Sequence, residues 1–227
     1  FRSCVKEKKL DIGIAFDGDA DRVLCVDGNG EVVDGDMIMA ILALDMKARD
    51  RLKNNTVVGT IMTNLGFIRF CEANDIRFAA TKVGDRYVLE EMLLEDYVFG
   101  GEQSGHIIFK DFATTGDGQL SAVQLLAHIH RSGKKLAELK TVMTKYPQLI
   151  VNIRTTDAAK LAFYTDDDVR AILDEGKEKL GSHGRLVVRP SGTEPLIRIM
   201  AEGEDEAFTE AIAKQVAERI EEKLKVY

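Results

Sequence analysis

The chain is short of cysteine, of long apolar runs and of positive charge, and each shortage closes a class of function. Cys4, Cys25 and Cys71 are the only thiols among 227 residues. An odd number at unrelated spacings supports neither a disulfide framework nor a thiolate metal site, and fits a reducing cytoplasm. No stretch approaches the ~18–20 apolar residues of a membrane-spanning helix, so no membrane partner is expected. Lys and Arg number 31 against 38 Asp and Glu, a formal charge of −7 spread along the chain. That balance argues against a nucleic-acid partner. The sequence opens Phe1-Arg2-Ser3, with neither a start methionine nor a signal-peptide core, so a fragment is expected. None of the six serines stands in an obvious setting for phosphoryl transfer.

With 45% hydrophobic residues the chain can bury a core, as one large or two small domains. The pattern predicts strands over 12–16 and 23–26 around an acidic loop, then the turn Asp27-Gly28-Asn29-Gly30. From residue 34 a helix over 36–49, a strand over 56–62, a helix over 65–74, a strand over 76–80 and a helix over 85–94 alternate. Such alternation indicates a parallel α/β sheet. A strand over 107–109, a helix over 117–131 ended by Gly133 and a shorter helix over 136–143 follow. Pro147 then disfavours helix at Tyr146, which marks a boundary. Residues 148–227 read strand, helix, strand, strand, helix, a small α+β domain. Phe208, Ile212, Val216 and Ile220 repeat every four residues along the last helix.

Three polar motifs stand out. Asp17-Gly18-Asp19-Ala20-Asp21-Arg22 offers three hard oxygen ligands, and its small residues let the carboxylates converge, which favours Mg²⁺. An EF-hand would need glycine and glutamate where Arg22 and Gly28 stand. The simpler alternative, a solvated acidic turn, loses ground because the loop follows the apolar run Ile12-Gly13-Ile14-Ala15-Phe16 at the edge of a core. Gly101-Glu102-Gln103-Ser104-Gly105-His106 offers acceptors and donors for hydroxyl groups, and a histidine able to move a proton. Taken alone, that histidine reads as a satisfied strand-edge residue. Arg189-Pro190-Ser191-Gly192-Thr193-Glu194 can surround a phosphate with a guanidinium, hydroxyls and amides, with Arg198 as a second basic partner. It lacks the Gly-Lys-Ser/Thr element and helix of a Walker loop. Lys82-Val83-Gly84-Asp85-Arg86 opens a helix, where amides favour anions.

In this order the motifs resemble the metal, sugar and phosphate loops of the α-D-phosphohexomutase superfamily, across the whole chain. Thr81–Val88 and Thr114-Thr115-Gly116-Asp117-Gly118 are most similar to its bacterial branch acting on glucosamine phosphates. The resemblance implies an α/β fold, a parallel-sheet phosphohexomutase-type domain followed by a small α+β C-terminal domain. Residues 1–33 would be the remnant of domain 2 with the metal loop, 34–145 the sugar-binding domain 3, and 146–227 the phosphate-binding domain 4. It implies conversion of glucosamine 6-phosphate to glucosamine 1-phosphate through a phosphoserine and a bisphosphorylated sugar.

Mg²⁺ would sit on Asp17, Asp19 and Asp21. Lys82, Arg86, Glu102, Ser104, Arg189, Ser191, Gly192, Thr193 and Arg198 would bind substrate, and Arg22 and His106 would assist transfer. The substrate would be a phosphorylated hexosamine, with a homodimer open at full length. The family's serine lies in a Ser-His-Asn-Pro segment that this sequence lacks, so the chain alone is expected to bind pieces of substrate without turnover. A phosphomannomutase or phosphoglucomutase of the same superfamily, and a non-catalytic phosphosugar-binding module, are the alternatives.

Overall fold

The computed structural model describes residues 1–192 and 194–227, and the chain divides into two compact units, Phe1–Lys145 and Tyr146–Tyr227. The first unit begins with α1 (Arg2–Glu7), a helix that buries only Val5 and so carries no periodic stripe to announce it. Strands β1 (Ile12–Phe16), β2 (Val23–Asp27) and β3 (Val32–Val33) form an antiparallel sheet in that order. The register pairs Phe16 with Val23, so residues 17–22 close the hairpin and the acidic motif is its loop.

Helix α2 (Gly35–Ala48) starts where the Asp34 carboxylate accepts the Met37 amide, and every residue from Gly35 to Ala43 is buried. A helix apolar on all sides belongs inside a core. Around it lie β4 (Thr56–Thr60), α3 (Leu65–Ala73), β5 (Arg77–Thr81), α4 (Asp85–Leu94), β6 (Phe99–Gly101) and β7 (Ile107–Phe109). The sheet order is β5-β4-β6-β7. The expected parallel pairing holds for β4 with β5 and with β6, whereas β7 is an antiparallel edge. It reverses because residues 102–105 form a tight turn in which the Gly105 amide donates to the Glu102 carbonyl at 2.9 Å.

Helix α5 (Gly118–Ser132) is capped by the Asp117 carboxylate and ends at the left-handed Gly133. Helix α6 (Leu136–Leu139) is shorter than the pattern predicts, tightening into a 3-10 turn at Lys140–Val142 where Lys140 reaches the buried Asp27 at 2.6 Å. Ile38, Met39, Ile41 and Leu42 pack with Phe67, Phe99, Ile107, Leu125 and Leu136, each at most 2% exposed. Burying a side chain of that size stabilises the fold by ~1.5–3 kcal/mol.

The second unit comprises β8 (Gln148–Arg154), α7 (Asp157–Thr165), α8 (Asp167–Leu180), β9 (Gly184–Pro190), β10 (Leu196–Gly203) and α9 (Glu206–Leu224). Its antiparallel sheet runs β8-β10-β9. Two helices stand between β8 and β9 where the sequence pattern predicts one. Asp166 ends α7 and caps α8, its carboxylate accepting the Asp168 and Val169 amides, so the chain must bend there. Helix α9 buries Ile212, Val216, Ile220 and Leu224, but Phe208 is 47% exposed. A four-residue repeat drifts about 40° per step on a 3.6-residue helix, so three steps carry Phe208 off the buried face and Thr209 replaces it.

Candidate functional site

The β1–β2 loop curls because Ala20 adopts φ 60° and its amide donates to the Asp17 carbonyl at 3.3 Å. A left-handed alanine is uncommon and costs energy that the surroundings must supply. The curl brings one carboxylate oxygen each from Asp17, Asp19 and Asp21 within 4.8 Å of one another. Arg22 Nε lies 3.8 Å from Asp17 Oδ2 and 3.7 Å from Asp21 Oδ1, too far for hydrogen bonds, so it relieves the repulsion only in part. Burial pushes the Asp17 carboxyl up, but the Arg22 amide, which donates to Asp17 Oδ1 at 3.2 Å, and the nearby Arg22 guanidinium help to outweigh it and hold the group below its usual value. Asp21 Oδ1 is buried with no hydrogen-bond partner among the described residues. An orphaned carboxylate oxygen beside two other carboxylates fits a hard, oxygen-seeking cation such as Mg²⁺.

The segment 101–106 lies against this loop. The His106 backbone pairs with that of Arg22 in an isolated antiparallel bridge, and the Val23 amide donates to the Gly105 carbonyl at 3.1 Å. Gly105 sits at φ 93°, and a Cβ there would fall 2.1 Å from the Val23 carbonyl oxygen, so the close approach requires glycine. The His106 ring is buried. Its Nδ1 is 3.1 Å from Asp21 Oδ2, and its Nε2 accepts the Gly116 amide at 2.9 Å. The Gly118 amide donates to the Ala20 carbonyl at 2.9 Å. Residues 114–118 therefore brace the acidic loop, a role that sequence reading missed. The Thr114-Thr115-Gly116-Asp117-Gly118 run was visible, but its partners lie far away in sequence.

Glu102 Oε1 accepts the Gly84 amide at 3.1 Å, which ties the segment carrying Lys82 and Arg86 to the segment carrying Glu102 and Ser104. The Lys82 ammonium lies 5.8 Å from the Tyr87 ring centroid, and Arg86 Nε donates to Glu90 Oε1 at 2.8 Å. Ser104 is exposed at the tip of the turn. The first unit thus brings Asp17, Asp19, Asp21, Arg22, His106, Glu102 and, through Gly84, the Lys82 segment onto adjoining loops. A cavity of about 120 Å³ lined by Leu42, Asp45, Arg49, Phe109, Gln124 and Arg131 lies elsewhere and contains none of these residues.

In the second unit the β9–β10 connection carries the phosphate-type motif. The Ser191 amide donates to the Leu196 carbonyl at 2.8 Å, and the Glu194 amide donates to Ser191 Oγ at 3.2 Å. Thr193 lies outside the described residues. The register sets Arg189 directly opposite Arg198. Like charges so placed repel. Arg198 pairs with Glu194, yet Arg189 Nε and Arg198 Nε are both buried without an acceptor among the described residues. Among the described residues other than its chain neighbours, nothing lies within 4 Å of where a Gly192 Cβ would point. Two unsatisfied guanidinium donors beside an open glycine turn suit a bound phosphate.

Residues 34–146 match the family model of phosphoglucomutase/phosphomannomutase alpha/beta/alpha domain III, and residues 150–219 that of the same family's C-terminal domain. The chain is 51% identical over 220 residues to the phosphoglucosamine mutase of Caldanaerobacter subterraneus subsp. tengcongensis, covering 97% of this chain and 49% of that protein. It spans about half the length of the curated relatives it matches. Among solved structures, Aspergillus fumigatus N-acetylphosphoglucosamine mutase aligns with a TM-score of 0.80 at 20% identity, over 98% of this chain and 52% of that one. The same mutase in complex with GlcNAc-6P and magnesium aligns with a TM-score of 0.74 at 20% identity, over 97% of this chain and 52% of that one. At such identities the shared property is the fold.

Proposed function

The chain belongs to the phosphoglucomutase/phosphomannomutase family, of which it carries domain III and the C-terminal domain, and from that premise we propose that it forms part of a phosphoglucosamine mutase. The reaction proposed is the interconversion of glucosamine 6-phosphate and glucosamine 1-phosphate through a bisphosphorylated sugar. The observation that carries this reading is the 51% identity, over 97% of the chain, to a phosphoglucosamine mutase. Geometry supplies the chemistry.

Asp17, Asp19 and Asp21 would hold Mg²⁺, and the Asp21 Oδ1 without a hydrogen-bond partner among the described residues supports that assignment. When bound there, the ion would relieve negative charge on a transferring phosphoryl group. Arg22, half-exposed beside the same carboxylates, adds positive charge at the loop. Glu102 and Ser104 bind sugar hydroxyls, and the Gly84 hydrogen bond keeps the Glu102 carboxylate oriented while Lys82 and Arg86 contribute charge. In the second unit Arg189, Ser191, Gly192 and Arg198, with Thr193 as a sequence-based member, hold a phosphate. The relative solved with GlcNAc-6P and magnesium supports both the ligand class and the ion. The three cysteines are unpaired among the described residues, which fits work in a reducing cytoplasm.

Calorimetric titration with glucosamine 6-phosphate, glucose 6-phosphate and mannose 6-phosphate tests the substrate. Tightest binding of the amino sugar is expected, and preference for a neutral hexose phosphate would move the chain to another branch of the family. For the ion, Asp19→Asn should lower Mg²⁺ affinity without changing the melting temperature. Undiminished binding would contradict the assignment.

A further inference from the structure

We propose that the cavity lined by α2, α5 and the end of β7 is a second ligand site of the first unit, and that it takes a small aromatic carboxylate. No residue of the acidic loop, of segment 101–106 or of the phosphate-type motif takes part in it. The inference therefore stands apart from the mutase reading.

The strands fix where the cavity lies. Strand β6 runs from Phe99 toward segment 101–106, and Val98, which lines the cavity, stands at its other end. Strand β7 returns antiparallel with Phe109 opposite Phe99, which carries Phe109 and the following Asp111 and Phe112 to that same edge of the sheet. Ligands of open α/β sheets ordinarily bind beyond the carboxyl ends of the strands, where the acidic and sugar-type loops are. The cavity is at the opposite edge and is no extension of that site.

Its size and lining select the body of the ligand. The volume is about 120 Å³. An apolar cavity of ~150 Å³ holds one benzene ring, so a single ring with its polar group at the mouth is what this one admits. Leu42, Val98 and Phe109 are each at most 8% exposed and supply buried apolar lining, whereas Phe112 is 61% exposed and lines the cavity where it meets solvent. The two phenylalanines offer edge-to-face partners to an aromatic ring.

The charges select the polar group. Arg49, Arg51 and Arg131 line the cavity against Asp45 and Asp111, an excess of one positive charge. Asp45 is already engaged. Its Oδ2 accepts from Arg49 Nη1 at 3.0 Å and from Arg131 Nη2 at 2.6 Å, and His128 Nδ1 lies 3.0 Å from its Oδ1. Each of those arginines uses one N–H donor there, which leaves the rest of its fork to a ligand. Arg51 Nη2 is 3.8 Å from Asp111 Oδ2, beyond hydrogen-bond reach, so its guanidinium is open as well. A planar carboxylate matches guanidinium donors in pairs, guanidinium planes stack on aromatic faces, and the single excess charge favours a monoanion over a phosphate ester.

The test titrates the 227-residue chain, labelled with nitrogen-15, with sodium benzoate and follows the backbone amide shifts. Saturable shifts at residues 42–51, 109–112 and 124–131 are expected, with a dissociation constant of ~1 mM or tighter, which a ligand so small can reach. Cyclohexanecarboxylate keeps the charge without the flat ring and should bind ~2- to 10-fold more weakly. Benzylamine keeps the ring and reverses the charge, and should bind at least ~10-fold more weakly.

Two variants separate binding from folding. Arg51→Met removes a half-exposed guanidinium that makes no hydrogen bond among the described residues, and Phe112→Ala truncates an exposed ring, so both should keep the melting temperature of the parent. Benzoate should bind at least ~10-fold more weakly to Arg51→Met and ~2- to 10-fold more weakly to Phe112→Ala. Parent-like benzoate affinity in both variants, equal affinity for benzylamine, or no saturable shift up to ~20 mM benzoate overturns the inference. Saturable shifts at residues 101–106 in place of the cavity residues overturn it too, because the carboxylate then occupies the sugar site.

Discussion

Replacing Arg189 by methionine separates a residue that holds a ligand from one that holds the fold. In the second unit Arg189 faces Arg198 across the β9–β10 pair, and each Nε is buried without an acceptor among the described residues. Directly opposed like charges cost ~0.2–1 kcal/mol, so Arg189→Met, similar in length but uncharged, should leave the ligand-free unit as stable or slightly more stable. In a unit of this size 1 kcal/mol moves the melting temperature by ~4–8 °C, so the gain is measurable. Ligand binding should change in the opposite sense. Loss of a charge-assisted hydrogen bond costs ~1.5–3 kcal/mol, a roughly 10- to 150-fold weaker dissociation constant.

Calorimetric melts with and without glucosamine 6-phosphate read both effects. At a concentration 100 times the parent dissociation constant, ligand stabilises the parent by ~2.7 kcal/mol. A variant weakened 100-fold gains only ~0.4 kcal/mol at the same concentration by the same relation. A variant less stable than the parent by more than ~1 kcal/mol without ligand, or one that keeps the full ligand shift, refutes the reasoning.

Other perturbations probe the scaffold beneath the site. Burial pushes the Asp27 carboxyl up, but the Lys140 ammonium and the Glu31 and Asn29 amides outweigh it and hold the group below its usual value. The stability it contributes is therefore present above ~pH 4 and lost as pH falls through the folded value. Lys140→Met should cost ~1–3 kcal/mol near neutrality, and urea melts should show the difference from the parent shrinking in acid; a gap independent of pH would contradict the pairing. Gly105→Ala places a Cβ 2.1 Å from the Val23 carbonyl oxygen at a positive φ, and should destabilise the first unit by ~1–3 kcal/mol or more. An unchanged urea midpoint would show that the turn can relax.

What the sequence discloses is what lies close together along it. Asp17, Asp19 and Asp21 fall within one hairpin loop, so their convergence follows from small intervening residues and a flanking apolar strand. The alternation of 3.6 and 2 periodicity likewise announces a parallel sheet. Long-range partners are not written in any window. The Gly116 amide on His106 Nε2, the Gly118 amide on the Ala20 carbonyl and the Gly84 amide on Glu102 join segments that only the fold brings together. Register is hidden for the same reason, since the opposition of Arg189 and Arg198 depends on how many residues the β9–β10 connection consumes. The division of α7 from α8 had a visible signal in Asp166 to Asp168. It competed with an apolar stripe that continues on both sides, and the cap at Asp166 decided it.

The central claim, that these loops belong to an enzyme moving a phosphate between two positions of an amino sugar, meets its most direct test in one assay. The protein expressed from its complete reading frame is supplied with glucosamine 6-phosphate and Mg²⁺, and glucosamine 1-phosphate is measured. The account predicts turnover that Asp19→Asn suppresses and that exceeds turnover of glucose or mannose 6-phosphate. No turnover, or turnover restricted to the neutral sugars, contradicts it.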